Sequence, residues 1–202
     1  MADLVLVIPV LVSSEHRVVQ TTSGRLSPEE IWVHCLVPPR IRARASMALQ
    51  LPDGGRAEVV VGEVTETTRQ EPDAPQPGFR ARFIDLSSTA QRRIAAALKR
   101  AAERNKRAFP RLPANLKVMA GATAFSARNI SPVGMFVEEL AGAAPGKALD
   151  VWLDFGGGGP APVKALVIHA FPEGAGIQFV DSDREFRLRL DRYVASLDEP
   201  AA

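Results

Sequence analysis

The sequence predicts a mainly β protein built from two similar units, each a set of short antiparallel strands followed by one C-terminal helix. Three observations carry this. Many short alternating or apolar runs are separated by Gly and Pro turns, which suits an antiparallel barrel or sandwich. Two helical stretches have clear start signals and apolar stripes. And the second half repeats the first: SPEEIWV at 27–33 resembles SPVGMFV at 131–137, and FRARFIDLS at 79–87 resembles GIQFVDSD at 176–183.

In chain order, LVLVIPVLV near the start is apolar but preceded by Asp3, interrupted by Pro9 and too short to span a bilayer, so it reads as a buried strand. No basic leader precedes it, so the expected location is the cytoplasm. IWVHCLV is a strand, and SMALQL leads into the turn PDGG. RAEVVVGEVTE alternates polar and apolar residues around a Gly that marks a bulge or bend. GFRARFIDL sets Phe79, Ala81 and Phe83 on one face. The first helix is SSTAQRRIAAALKRAAERN, with Ser88 and Gln91 as a capping box and Ile94, Leu98 and Ala101 as its apolar stripe. The second unit offers NLKVMA, TAFSARNI, GMFVEEL, KALDVWLDF, KALVIHAF and AGIQFVD as strands. Its helix is capped by Ser182 with Glu185 and striped by Phe186, Leu190, Val194 and Leu197. The expected division is 1–103 and 104–202.

The 202 residues carry a net charge of only +2, which argues against a general polyanion binder. Cys35 is the one cysteine, so neither an intramolecular disulfide nor a thiolate-rich metal site is expected. His16, His34 and His169 lack metal-like spacing. DFGGGGP at 154–160 has no following Lys-Ser or Lys-Thr and reads as a hairpin tip rather than a phosphate loop. No constellation supports catalysis, and no cofactor is expected.

One local cluster stands out. Lys99, Arg100, Arg104, Lys106, Arg107, Arg111 and Lys117 are opposed only by Glu103. A solvated helix end and linker is one reading, since cations are favourable at a helix C-terminus. Pro110 and Pro113 support another, because they stop a helix and hold the segment extended. Arg107 and Arg111 then present two guanidinium forks, suited to phosphate oxygens and purine rings. Further on, RNISPVG at 128–134 places Asn129 and Ser131 on one face of a strand and a permissive Gly134 after them. Those polar residues either satisfy their own turn or read a base edge.

Together, RAFPR (Arg107, Arg111) and NISPVG (Asn129, Ser131, Gly134), followed by GAGIQFVDSD and REFRLRLDRYV, resemble the PilZ domain family over roughly 104–198. The family's signature is RxxxR before the first barrel strand and (D/N)xSxxG after it. The resemblance implies small antiparallel β-barrels, each with a C-terminal helix, and a non-catalytic bacterial receptor for cyclic di-GMP. It implies that Arg107 and Arg111 clamp phosphates and stack on or bond guanine. Asn129 and Ser131 would bind a guanine edge, and Gly134 would keep the strand turn open. Arg104, Lys106 and Arg128 would add charge. The first unit departs from the signature: RLSPEE puts Arg25 and Glu30 where Asn and Gly belong, and no RxxxR precedes it. It is expected to be a degenerate PilZ-like domain serving packing, self-association or a protein partner. The alternative for the whole chain is an interaction or scaffold module that binds no nucleotide. General nucleic-acid binding is not expected, for want of aromatic-basic interleaving.

Overall fold

The structure, a computed structural model, describes residues 6–15, 17–70, 76–103, 108–140 and 142–198. Arg104, Lys106, Arg107 and His16 therefore lie outside the described residues. The chain divides into two compact units, Met1–Phe109 and Pro110–Ala202. This division falls later than 103 because Ala108 and Phe109 pack, partly buried, against the first unit's core.

The first unit contains β1 (Pro9–Ser14), β2 (Arg17–Leu26), β3 (Glu30–His34), β4 (Arg44–Leu49), β5 (Glu58–Thr68), β6 (Gly78–Ile84) and α1 (Ser88–Glu103). The strands close into an antiparallel barrel in the order β1-β2-β3-β6-β5-β4. Pro9 opens β1, where a missing N–H is tolerated. Inward residues such as Val10, Ile31, Val33, Met47, Val64 and Phe79 form the core, and α1 buries Ala90, Ile94, Ala97 and Ala101 against it. β2 is a strand that hydrophobic patterning misses. Its buried Thr21 and Ser23 are satisfied within the barrel, Thr21 donating to the His34 carbonyl at 2.5 Å and Ser23 to that of Leu6 at 2.9 Å.

The second unit contains β7 (Leu112–Ala120), β8 (Thr123–Ser131), β9 (Gly134–Glu138), β10 (Ala148–Asp154), β11 (Ala161–Phe171), β12 (Gly174–Val180) and α2 (Arg184–Asp198). Its closed order, β7-β8-β9-β12-β11-β10, is that of the first barrel strand for strand. The likeness extends to irregularities. The β2–β3 ladder slips between Ser23 and Arg25, and β8–β9 slips between Ala127 and Asn129. The β5–β6 ladder slips between Val64 and Glu66, and β11–β12 between Val167 and His169. Asp85 and Asp181, each just past the last strand, both have positive φ, at 54° and 47°. The duplication read from short matches therefore holds through the topology.

Both helices are capped one residue away from the expected positions. Ser87, not Ser88, accepts the Ala90 N–H at 3.0 Å, and Asp183, not Ser182, accepts that of Phe186 at 2.7 Å. Each thereby satisfies the third helical donor, as an N-cap side chain does. In α2, Phe186 and Leu190 are buried, with Phe186 meeting Phe179 edge-on at 5.2 Å. The glycine run is the β10–β11 hairpin tip. Gly156, Gly157, Gly158 and Gly159 all have φ near +76°, a region open to Gly, and Arg189 donates to the Gly157 and Gly159 carbonyls. Among the described residues, no helix is long and apolar enough to cross a membrane, and no group of three or more His, Cys, Asp or Glu is placed to hold a metal ion.

Candidate functional site

The motif NISPVG occupies the end of β8, a two-residue turn at Pro132 and Val133, and the start of β9. Asn129 sits where the ladders on both sides are irregular. On one side it faces Pro113, which has no N–H to give, next to a slip between Pro113 and Leu116. On the other it follows the bulge at Arg128. Its Oδ1 is buried and, among the described residues, has no hydrogen-bond partner. Leaving a buried acceptor unmet costs about 1–3 kcal/mol, so such an atom asks for an explanation.

Ile130, in the core, separates Asn129 from Ser131 and places both on the side away from the core. Ser131 is buried, and its hydroxyl donates to the Gly134 carbonyl at 3.1 Å. Ser27 makes the same bond to Glu30, also at 3.1 Å, in the first barrel. The hydroxyl therefore closes the turn in both copies, and in Ser131 the oxygen retains only acceptor capacity. Gly134 has a steric reason as well. A Cβ there would lie 2.1 Å from the Ile177 carbonyl oxygen of β12, so only glycine permits the β9–β12 approach.

The turn is held from outside by a residue that sequence reading did not mark. Arg187 of α2 donates to the Pro132 carbonyl at 2.5 Å and pairs with Asp191 at 3.0 Å. Burial lowers its pKa, and Asp191 opposes that shift. The Phe179 N–H adds a bond to the Val133 carbonyl at 3.0 Å. No motif flags Arg187; only the i, i+4 Arg–Asp spacing is visible in the sequence.

Leu112 pairs with Ile130, so Arg111 enters the strand level with Ser131. The structure thus brings Arg111, Asn129, Ser131 and Gly134 to one end of the barrel wall. Arg128 is differently committed. Its Nε donates to Glu138 at 2.9 Å and its guanidinium lies 4.7 Å from the Phe136 ring centroid. On the adjoining outer surface, Gly176 of β12 pairs with Phe136 and with His169, and a Cβ there would meet nothing nearer than His169 at 3.9 Å.

Residues 98–196 match the family model described as PilZ domain. This part of the chain is a PilZ domain. No curated protein matches the chain. Among solved structures it is similar to YcgR of Escherichia coli in complex with c-di-GMP, at 14% identity and TM-score 0.37, covering 95% of this chain and 84% of that one. It is similar to the K. pneumonia MrkH–c-di-GMP complex, at 12% identity and TM-score 0.38, covering 94% and 87%. It is also similar to the inhibitor of motility MotI/DgrA of Bacillus subtilis, at 10% identity and TM-score 0.33, covering 96% and 97%.

The first barrel carries different side chains at the corresponding positions. The ladders align Glu30 with Gly134, Arg80 with Gly176 and Glu66 with His169. Arg80 bonds Glu30 at 2.6 Å and Glu66 at 3.0 Å. These bonds raise its pKa, the one to Glu30 foremost. Gly134 and Gly176 of the PilZ domain thus correspond to Glu30 and Arg80, two members of an ion cluster in the first barrel.

Proposed function

We propose that the chain is a non-catalytic receptor for cyclic di-GMP, bound by its PilZ domain. The observation that carries this is the Oδ1 of Asn129, buried without a hydrogen-bond partner among the described residues and placed beside Arg111. The edge of guanine that it would meet carries the N1–H and N2–H donors. Asn129 Oδ1 and Ser131 Oγ are both acceptors in this arrangement, which matches that edge. Adenine has no 2-amino group and presents an N1 acceptor instead. Arg107 and Arg111 supply the phosphate clamp and the guanine stack, with Arg104 and Lys106 adding positive charge. Arg128, held by Glu138 and Phe136, forms the rim.

The first unit serves protein contact rather than ligand. Arg25 replaces the asparagine, and Arg80 is already neutralised by Glu30 and Glu66. Residues 104–111 also join the two units along the chain, so a ligand that orders them biases domain arrangement. Scattering at ligand saturation that matches the free protein would sink that part.

Calorimetric titration tests the receptor reading. Cyclic di-GMP should bind, cyclic di-AMP should bind at least tenfold more weakly, and Arg107→Ala or Arg111→Ala should each lose about 2–5 kcal/mol, the range for truncating one member of a bonded charge pair. No heat at tens of micromolar cyclic di-GMP would leave an interaction module as the better account.

A further inference from the structure

The outer face of β4 and β5 in the first barrel is unlike its counterpart in the second. Ser46 faces Val61 across the ladder and Ala48 faces Val59, with Val59 65% and Val61 40% exposed. The aligned positions in the PilZ domain hold Asp150 against Lys164, joined at 2.8 Å, and Trp152 against Pro162. One copy of this face thus carries an ion pair where the other presents bare valines beside small residues. The next outward row of the first barrel is Arg44, Glu63 and Arg82, in ladder register and alternating in sign. None of these three side chains makes an ion pair among the described residues.

We infer that this face binds the same face of a second copy of the chain. Consider a two-fold axis lying in the interface, along the strands and between β4 and β5. It sets β4 of one copy on β5 of the other, row on row. Small Ser46 then receives the partner copy's Val61, Ala48 receives Val59, and Arg44 meets Glu63. Each contact occurs twice, as an isologous interface requires. A charge-free partner surface of some other protein would satisfy the valines but not the alternating charged row, and an acidic partner would leave Glu63 opposed. Sheets packed face to face in aligned fashion are a standard arrangement.

Two strand spacings of ~4.8 Å on each side of the axis and three outward rows ~6.8 Å apart give roughly 400 Å² per copy. Both copies together bury roughly 800 Å², below the roughly 1,000 Å² of a stable interface, so a weak, transient dimer is expected. The inference specifies the protein contact assigned above to the first unit. It is independent of nucleotide, so dimerisation and ligand binding can fail separately.

Sedimentation or light scattering of the full chain, from about 5 to 300 µM, tests it with and without cyclic di-GMP. Val59→Lys should weaken the dimer at least tenfold while leaving the melting temperature near that of the parent, since the residue is exposed. Arg44→Glu should weaken it about fivefold, and Arg44→Glu with Glu63→Arg should return it to within about threefold of the parent. A parent chain that stays monomeric throughout overturns the inference. So does a dimer that Val59→Lys leaves intact, or a charge swap that fails to restore what the single reversal removed.

Discussion

Gly134→Ala separates two explanations of the motif glycine, one steric and one concerned with ligand access. The added Cβ would sit 2.1 Å from the Ile177 carbonyl oxygen and 3.0 Å from the Gln178 Cα, both backbone atoms of β12. An ordinary C···O contact needs about 1 Å more, and no rotamer can supply it because the neighbour is main chain. β9 must therefore move off β12. Overpacking of this kind costs about 1–3 kcal/mol. The shift also strains the Phe179–Val133 bond and the Gly134–Gln178 pairing, each worth about 1 kcal/mol. The sum is about 3–5 kcal/mol, or roughly 15–30 °C for a unit of this size. The assay is thermal unfolding followed by tryptophan fluorescence. The chain has two tryptophans, Trp32 in β3 and Trp152 in β10, so a Trp32→Phe background leaves the second barrel reporting alone. Gly176→Ala is the internal control: its Cβ has room, and its melting should stay within about 1 kcal/mol of the parent. A Gly134→Ala protein that melts within about 5 °C of the parent refutes the close-approach reasoning.

Three further outcomes are expected. His34 is 2% exposed, and burial pushes its pKa down from 6.5 to about 4, partly offset by a hydrogen bond to the Pro77 backbone. The unfolded chain then takes up the proton first, so the stabilisation is full above pH 6.5 and is lost as pH falls through 4. Urea unfolding of a Trp152→Phe protein, read through Trp32, should show about 2 kcal/mol lost between pH 7 and pH 5, and His34→Gln should flatten that slope. Arg187→Met should destabilise the second barrel by about 1–3 kcal/mol, by leaving the Pro132 carbonyl unmet, and should weaken cyclic di-GMP in calorimetry although Arg187 lies outside the motif. Asn129→Ala should do two opposite things, raising the melting temperature of the free protein by a few degrees and weakening the ligand at least tenfold. A free protein that is destabilised instead would mean that the amide is already satisfied.

What the sequence showed and what it hid divide along a physical line. Local patterns were legible. The α1 and α2 stripes are the buried faces, and the hairpin tip at Gly156–Gly159 is where the glycine run placed it. Caps slipped by one residue because Ser87 and Ser88, like Ser182 and Asp183, offer adjacent oxygens, and spacing alone cannot say which backbone is non-helical. β2 was missed because Thr21, Thr22 and Ser23 read as polar, although the barrel buries all three. At the site, motif spacing named Asn129, Ser131 and Gly134, but their environment depends on register. That Gly134 faces β12, that Arg80 stands where Gly176 does, and that Arg187 reaches the Pro132 carbonyl all follow from pairings distant in sequence.

The duplication makes the two barrels each other's control. They share strand order, both bulges, the serine-closed turn and the bend at Asp85 and Asp181, so none of these features is itself a sign of ligand binding. The difference lies at a few outward positions. The Glu30–Arg80–Glu66 cluster is about one-third to one-half exposed, and ion pairs of that kind contribute little stability, so fold maintenance does not explain it. Its consequence is occupancy. A guanidinium stands where the PilZ domain has Gly176, and two carboxylates cancel the charge that would draw a phosphate. In the PilZ domain the corresponding positions Gly134 and Gly176 carry no side chain, and the buried amide oxygen nearby has no partner among the described residues. A fold that carries a three-residue ion cluster at these positions in one copy, yet leaves a buried amide oxygen unmet in the other, retains there a feature that the free protein alone does not need.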